Sequence, residues 1–385
     1  MRSVFVDIMA VYNVDGGLKR MLFFFLLLLT TSVLSYIALR RLSFIAYAQG
    51  IFDRENERTV HKGTIPRLGG IVFFPVVTLV VSLFLAAGSL LILPIDVPLY
   101  GMSDILFLLP ATILLYSVGV VDDLVGLSYR RKFIAQILSS SILLFSGVYL
   151  AGWDSLLFLD GLSNVLAYPV AIFFFLLVIN SINLIDGIDG LATSLVLLGM
   201  LLYIPFFIYA NMYLYAIICV SIVGCLVAFF RFNLFGTIEK RTKIFMGDTG
   251  ALTLGLILSF MALRLLTPVT GRALPFSYVI ALLLIPCFDL FHVFILRILS
   301  KKNPFKADKS HIHHRIMALG LSQRQALVII LLYATLLSLF NIVGDSFFNI
   351  NLLLLLNIFI WIVPNMFIAN MSRKRALKAS LEKGE

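Results

Sequence analysis

Apolar runs separated by short polar stretches fill almost the whole chain. They lie near residues 21–39, 70–93, 104–121, 133–151, 165–185, 191–210, 212–231, 249–266, 276–298, 326–344 and 350–371. A helix crossing a bilayer needs roughly 20 predominantly apolar residues, so the pattern predicts an all-α integral membrane protein, a polytopic bundle of about eleven transmembrane helices. The sixth and seventh runs meet at a tight turn near Asn211. One transmembrane catalytic domain is expected over 1–372, with a basic cytoplasmic tail at 373–385. The first run begins near Met21 and ends near Leu39 without a small-residue cleavage site, so it reads as a span and not as a signal peptide.

Composition agrees. Hydrophobic residues make up 61% of the 385 positions and charged residues 13%, against about 25% charged in soluble domains. Cys219, Cys225 and Cys287 all fall inside apolar runs and read as small buried hydrophobes, with neither a disulfide framework nor zinc spacing. The net charge is +10, which in such a chain is first a topology signal and implies no nucleic-acid partner. About 25 of the Lys and Arg residues fall in alternate loops and the tail, a side that the positive-inside rule assigns to the cytoplasm. Every polar cluster of interest falls on that side. Chemistry is therefore expected at the inner face, on a water-soluble partner.

Those clusters carry the candidate chemistry. In "VVDDLVGLSYRRKF", Asp122 and Asp123 end one run, and Arg130, Arg131 and Lys132 open the next. Adjacent carboxylates at a span end repel unless cations or donors sit nearby. The spacing lacks the third aspartate of a DDxxD diphosphate motif. In "NSINLIDGIDGLA", Asn180 and Asn183 share a helix face, and Asp186 and Asp189 repeat the interval. Such oxygen donors suit a hard cation such as Mg²⁺, which takes one or two protein carboxylates and completes its shell with water and phosphates. A helix cap explains Asp189 alone, not the set.

In "IFMGDTGAL", Asp248 directly precedes a span and reads equally as an N-cap or as a ligand. "HKGTIPRLGG" offers His61, Lys62 and Arg67 at a glycine-rich helix start. Asp289 and His292 lie inside a run. "ADKSHIHHR" gathers His311, His313 and His314 beside Arg315, a density better suited to phosphate and sugar hydroxyls than to zinc.

Taken in order, HKGTIPRLGG, DDLVGLSYRRK, NSINLIDGIDGLA, FMGDTGALTLG, PCFD and ADKSHIHHR resemble the polyprenyl-phosphate N-acetylhexosamine-1-phosphate transferases, in particular the bacterial undecaprenyl-phosphate GlcNAc-1-phosphate transferases. The likeness runs from about His61 to Gly320. HIHHR resembles the GlcNAc-type enzymes. The phospho-MurNAc-pentapeptide translocases carry a triple-histidine run followed by an aromatic residue and a glutamate.

The resemblance implies an Mg²⁺-dependent enzyme (Mn²⁺ being the alternative ion) that transfers a sugar-1-phosphate, GlcNAc-1-phosphate foremost, from a UDP-N-acetylhexosamine to a polyprenyl phosphate. The products are UMP and the first lipid-linked sugar of a cell-envelope polysaccharide. It places the protein in the cell inner membrane and allows a homodimer. By motif match, Asn183 and Asp248 would be metal ligands, and Asp189 and the backbone near Phe245 would face the uracil. Asp122 or Asp123 would position or deprotonate the lipid phosphate, and Lys132 would neutralise it. The segment from His311 to Arg315 would cover the sugar-phosphate. Asp186 joins the catalytic candidates, and Asn180, His61 and Arg67 the substrate-binding ones. The competing readings are a phospho-MurNAc-pentapeptide transferase, a transporter using intramembrane acids, and a lipid-binding scaffold.

Overall fold

The computed structural model of the chain describes residues 14–52, 65–91, 99–151, 163–267, 274–301 and 311–383. Among the described residues there is no strand. In chain order the helices are α1 (Val14–Gln49), α2 (Phe73–Leu91, entered through a 3₁₀ turn at Gly69–Val72), α3 (Leu99–Val125) and α4 (Tyr129–Leu144). Next come α5 (Ser163–Ile185), α6 (Leu191–Tyr209), α7 (Tyr213–Asn233) and α8 (Gly247–Leu266). The chain closes with α9 (Phe276–Ile280), α10 (Leu284–Leu299), α11 (Ile312–Ala318), α12 (Gln323–Gly344) and α13 (Ile350–Lys383).

Ten helical stretches among the described residues are long and apolar enough to cross a membrane. The protein is therefore an all-α, multi-pass membrane protein. The run at 133–151 is the exception, because it forms only the 16-residue α4 and buries Gln136, Ser139 and Ser140. It nevertheless joins the two ends of the bundle. Lys132 in its first turn meets Asp248, and the Ser146 carbonyl just past its end accepts a bond from Arg264 at 3.1 Å. The turn expected near Asn211 is there, with Asn211 at φ 57° between α6 and α7. The run at 276–298 is not one helix: a 3₁₀ turn at Ala281–Leu283 separates α9 from α10. The last helix continues without a break past Ser372, where the basic tail was expected to begin.

The centre of the bundle is α8, on which every side chain from Thr249 to Leu266 is buried. Its glycines let neighbours approach backbone to backbone, the usual device where lipid removes any hydrophobic drive between helices. A Cβ on Gly255 would lie 2.8 Å from the Cα of Ile179 on α5. On the opposite side, Gly119 of α3 rests against Thr249.

Helices α3 and α8 run antiparallel and are tied at both ends. At one end Asp123 meets the start of α8. At the other, Arg264 pairs with Asp104, whose carboxylate also accepts from the Tyr215 hydroxyl of α7. Arg264 and Asp104 are 6% and 2% exposed. Charges inside a membrane bundle pair with one another because either alone is costly there. The two ties stand about 19 residues apart on α3, about 28 Å at 1.5 Å per residue, close to the thickness of a hydrocarbon core.

Candidate active site

The site is assembled at the end of the bundle where α3 stops and α8 begins. Gly247 opens α8 with φ 74°, a left-handed conformation that costs glycine little. A Cβ there would lie 2.6 Å from Asp123 Oδ2. The freed space lets Asp123 cap α8 from another helix. Its Oδ1 accepts the Asp248 N–H at 2.7 Å, and its Oδ2 accepts the Thr249 N–H at 2.9 Å and the Thr249 hydroxyl at 2.5 Å. These are the orphan donors that every helix N-terminus presents. Asp248 does not cap its own helix. It points into the site.

There Asp248 Oδ2 receives the Lys132 ammonium at 2.6 Å and Oδ1 receives the Asn183 amide at 2.8 Å. The same ammonium reaches Asp122 Oδ2 at 3.0 Å, while Asp122 Oδ1 accepts the Leu127 N–H at 2.6 Å. One lysine thus bridges carboxylates from two helices. Asp122, Asp123, Lys132, Asn183 and Asp248, scattered over more than a hundred residues, stand together.

The turn between α5 and α6 supplies the next layer. Asp186 sits half-buried on it. Burial pushes its carboxyl up to about 7, against the pull of the Arg67 guanidinium. Asp189 pairs with Lys243 at 2.6 Å. That lysine is itself buried and also donates to the Asn233 carbonyl. Asn233 completes the knot, with its Oδ1 accepting the Gly190 N–H at 2.7 Å and its Nδ2 donating to the Ile244 carbonyl at 3.1 Å. Gly190 enters α6 at φ 79°. Asn180 lies one turn deeper, and its Nδ2 donates to Gln136 Oε1 of α4 at 2.7 Å.

Phe245 and the 66–70 segment lie side by side. The Phe245 N–H donates to the Pro66 carbonyl at 2.8 Å, and its own carbonyl accepts the Gly69 N–H at 2.9 Å. The Phe245 N–H is thereby engaged by protein, while its carbonyl oxygen, which has two lone pairs, accepts one bond from Gly69. Arg67 is exposed on this segment, its carbonyl beside Gly247. His61 lies outside the described residues.

The histidine segment closes over the α5–α6 turn. His313 is 1% exposed and lies against Gly187, where a Cβ would come within 2.6 Å of His313 Cε1. Burial pulls its imidazole down to about 3 and so holds it neutral. The His311 ring is parallel to it at 6.0 Å, and the His314 ring is 4.2 Å from it. Behind them, buried Asp289 of α10 accepts the Ile312 N–H at 2.9 Å, meets His311 Nδ1 at 2.8 Å and takes Arg315 Nη2 at 3.3 Å.

Among the described residues, no three His, Cys, Asp or Glu side chains form a metal cage of their own. The donor chemistry still fits a hard ion held jointly with a substrate. Asp248 is an oxygen donor, and rotating the Asn183 amide would exchange its Nδ2 for Oδ1. Two protein ligands plus water and phosphate oxygens is the usual arrangement for Mg²⁺.

Comparison with known proteins now decides the family. Residues 105–266 match the glycosyl transferase family 4 model. The chain is 30% identical over 347 residues to the decaprenyl-phosphate N-acetylglucosaminephosphotransferase of Mycobacterium tuberculosis, covering 83% of this chain and 82% of that one. It is 30% identical over 334 residues to the undecaprenyl-phosphate alpha-N-acetylglucosaminyl 1-phosphate transferase of Yersinia pestis, covering 81% and 83%. The Escherichia coli K12 protein of the same name is 30% identical over 313 residues, 78% of each chain. The chain belongs to the polyprenyl-phosphate N-acetylhexosamine-1-phosphate transferases of glycosyl transferase family 4.

As a membrane phosphotransferase of this family, the protein gathers nearly all of its motif residues at one end of the bundle. Sequence reasoning missed three members of that end. Lys243, which neutralises Asp189, looked like one more positive-inside loop residue. Asn233 sat unremarked at the end of an apolar run. Gly187 has no side chain, and that gap is what admits the His313 ring. Asp289 was noticed as an intramembrane acid, but only the fold shows that it grips the histidine segment of the transferase.

Proposed function

We propose that the protein transfers GlcNAc-1-phosphate from UDP-GlcNAc to undecaprenyl phosphate, or to a polyprenyl phosphate of similar length, at the cytoplasmic face of the inner membrane. An oxygen of the lipid phosphate attacks the sugar-bearing phosphorus of the donor. The bond from that phosphorus to the bridging oxygen breaks, and UMP leaves with the electron pair. The observation that carries the reading is the Lys132 ammonium held between Asp122 and Asp248 where three helices end.

Two anions must meet in this reaction, so the protein has to supply positive charge, alignment and exclusion of water. Lys132 and Arg67 are the cations at the junction. Lys132 lies beside Asp122, and it can exchange a carboxylate contact for a phosphate one. A phosphate monoester has a second pKa of about 6. Much of the lipid phosphate is therefore already dianionic at neutral pH, and Asp122 has to orient it and not to deprotonate it. Asp123, whose oxygens are taken up by the start of α8, holds Asp248 in place. When bound between Asp248 and Asn183, Mg²⁺ would stabilise charge on the pyrophosphate oxygens. Asp189, fixed by Lys243, would face the nucleotide, and the segment from His311 to Arg315 would cover the sugar-phosphate.

Purified protein in nanodiscs tests this with UDP-[³H]GlcNAc, undecaprenyl phosphate and Mg²⁺. Label should enter the lipid phase in step with UMP release. Label entering only when UDP-MurNAc-pentapeptide replaces UDP-GlcNAc would overturn the choice of sugar.

A further inference from the structure

A single carboxylate organises the histidine segment. Asp289 is 1% exposed and comes from α10, more than twenty residues upstream. Its Oδ1 accepts the Ile312 N–H at 2.9 Å and Arg315 Nη2 at 3.3 Å, and its Oδ2 lies 2.8 Å from His311 Nδ1. Arg315 is held from a second direction, Nη1 lying 3.1 Å from His292 Nε2. Arginine only donates, so His292 accepts there. The segment is thus fastened at its first, second and fifth positions to one helix.

The contact with His311 has a chemical consequence. An ionised carboxylate only accepts, so the ring must carry its proton on Nδ1. The hydrogen bond made by one imidazole nitrogen decides what the other can offer. Nε2 is then left as an acceptor, which suits a sugar hydroxyl and not a phosphate oxygen. The parallel stacking of His311 on His313, and of His313 against Gly187, carries the same alignment to the α5–α6 turn.

We propose that Asp289 is a positioning residue of this active site: it fixes His311 with Nδ1 protonated and Nε2 as the acceptor for a hydroxyl of the donor's sugar, and it holds Arg315 on the same carboxylate. The assignment rests on the reading above that the histidine segment covers the sugar-phosphate. It differs from a purely structural cap in one respect. Asp289→Asn has nearly the same shape, but its single oxygen cannot accept from both His311 and the Ile312 N–H. The backbone N–H cannot change, whereas the imidazole can. The variant therefore moves the His311 proton to Nε2 while leaving the helix start in place.

The test is ¹⁵N-histidine NMR of the intact protein in nanodiscs, with His311 assigned by the signal lost in His311→Gln, together with steady-state kinetics. In the wild type His311 should show protonated Nδ1. In Asp289→Asn the proton should move to Nε2, and kcat/KM for UDP-GlcNAc should fall about 100-fold, the scale set by misplacing a positioned group. The melting midpoint should stay near that of the wild type, and Asp289→Glu should recover part of the rate. A wild-type His311 protonated on Nε2 would overturn the proposal, as would an Asp289→Asn protein with switched tautomer and undiminished turnover. If the variant does not fold, the wild-type spectrum alone decides. Wild-type protein that labels no lipid would overturn the transferase reading, independently of where the His311 proton sits.

Discussion

The Lys132 ammonium stands 2.6 Å from Asp248 Oδ2 and 3.0 Å from Asp122 Oδ2, joining helices whose sequences are 116 and 10 residues away. Without it two carboxylates from α3 and α8 would face each other uncompensated. Removing a preorganised charge partner of a phosphotransfer site typically costs about 100- to 1,000-fold in kcat. Lys132→Met should lose turnover on that scale at saturating substrates. Lys132→Arg, which keeps the charge but not the compact ammonium, should retain more. Equal rates for Met and wild type would remove Lys132 from the reaction.

The neighbouring aspartates should separate by phenotype. Asp123 gives both oxygens to the start of α8, so Asp123→Ala should act as a lost helix cap. A cap is worth about 1–2 kcal/mol, and the loss would appear as a lower thermal midpoint accompanied by reduced activity as Asp248 loses its support. Asp122 spends one oxygen on Lys132 and the other on the Leu127 N–H. Asp122→Ala should depress turnover with a smaller change in midpoint. Thermal unfolding and kcat measured on both variants distinguish the roles, and a reversed pattern would contradict them.

Gly187 and His313 should be energetically coupled. A methyl group at Gly187 would collide with the His313 ring, so Gly187→Ala should impair transfer by lifting the histidine segment off the α5–α6 turn. In a His313→Ala background the collision partner is gone, and Gly187→Ala should then add little. Contacting residues commonly show coupling of about 0.5–3 kcal/mol. A double-mutant cycle on kcat/KM reads it directly. Strict additivity would mean that the two do not meet.

Acid should destabilise the protein in part through His313. Burial pulls its pKa from 6.5 to about 3. Between those values the unfolded chain binds the proton and the native one does not, so stability rises with pH from about 3 to 6.5 and is flat above. The melting midpoint should fall as pH drops from 6.5 toward 4, and His313→Asn should flatten that slope. An unchanged slope in the variant would assign the acid sensitivity to other groups.

Much of this was legible along the chain because it is local. Apolar runs of bilayer length announced the helices, and the polar residues between them named Asp122, Asn183 and Asp248 in advance. What was not legible is contact between distant positions. Nothing near Asp123 says that it caps a helix beginning 124 positions later, and nothing near Asp104 says that Arg264 neutralises it. Lys243 carries the same positive-inside signal as its neighbours, so its burial against Asp189 could not be told from its sequence. Helix α4 is the reverse case: the run at 133–151 reads as a full span, but the helix is only 16 residues long, and its Gln136, Ser139 and Ser140 are buried.

The central claim is that Asp248, held by Asp123 and flanked by Lys132 and Asn183, is where phosphotransfer takes place. The most direct measurement is single-turnover GlcNAc-1-phosphate transfer by Asp248→Asn in nanodiscs, at saturating Mg²⁺ and both substrates, with folding verified by its melting curve. The folded variant should form lipid-linked product at least about 1,000-fold more slowly than the wild type. Product formation at a rate close to wild type, still dependent on Mg²⁺, would contradict the account.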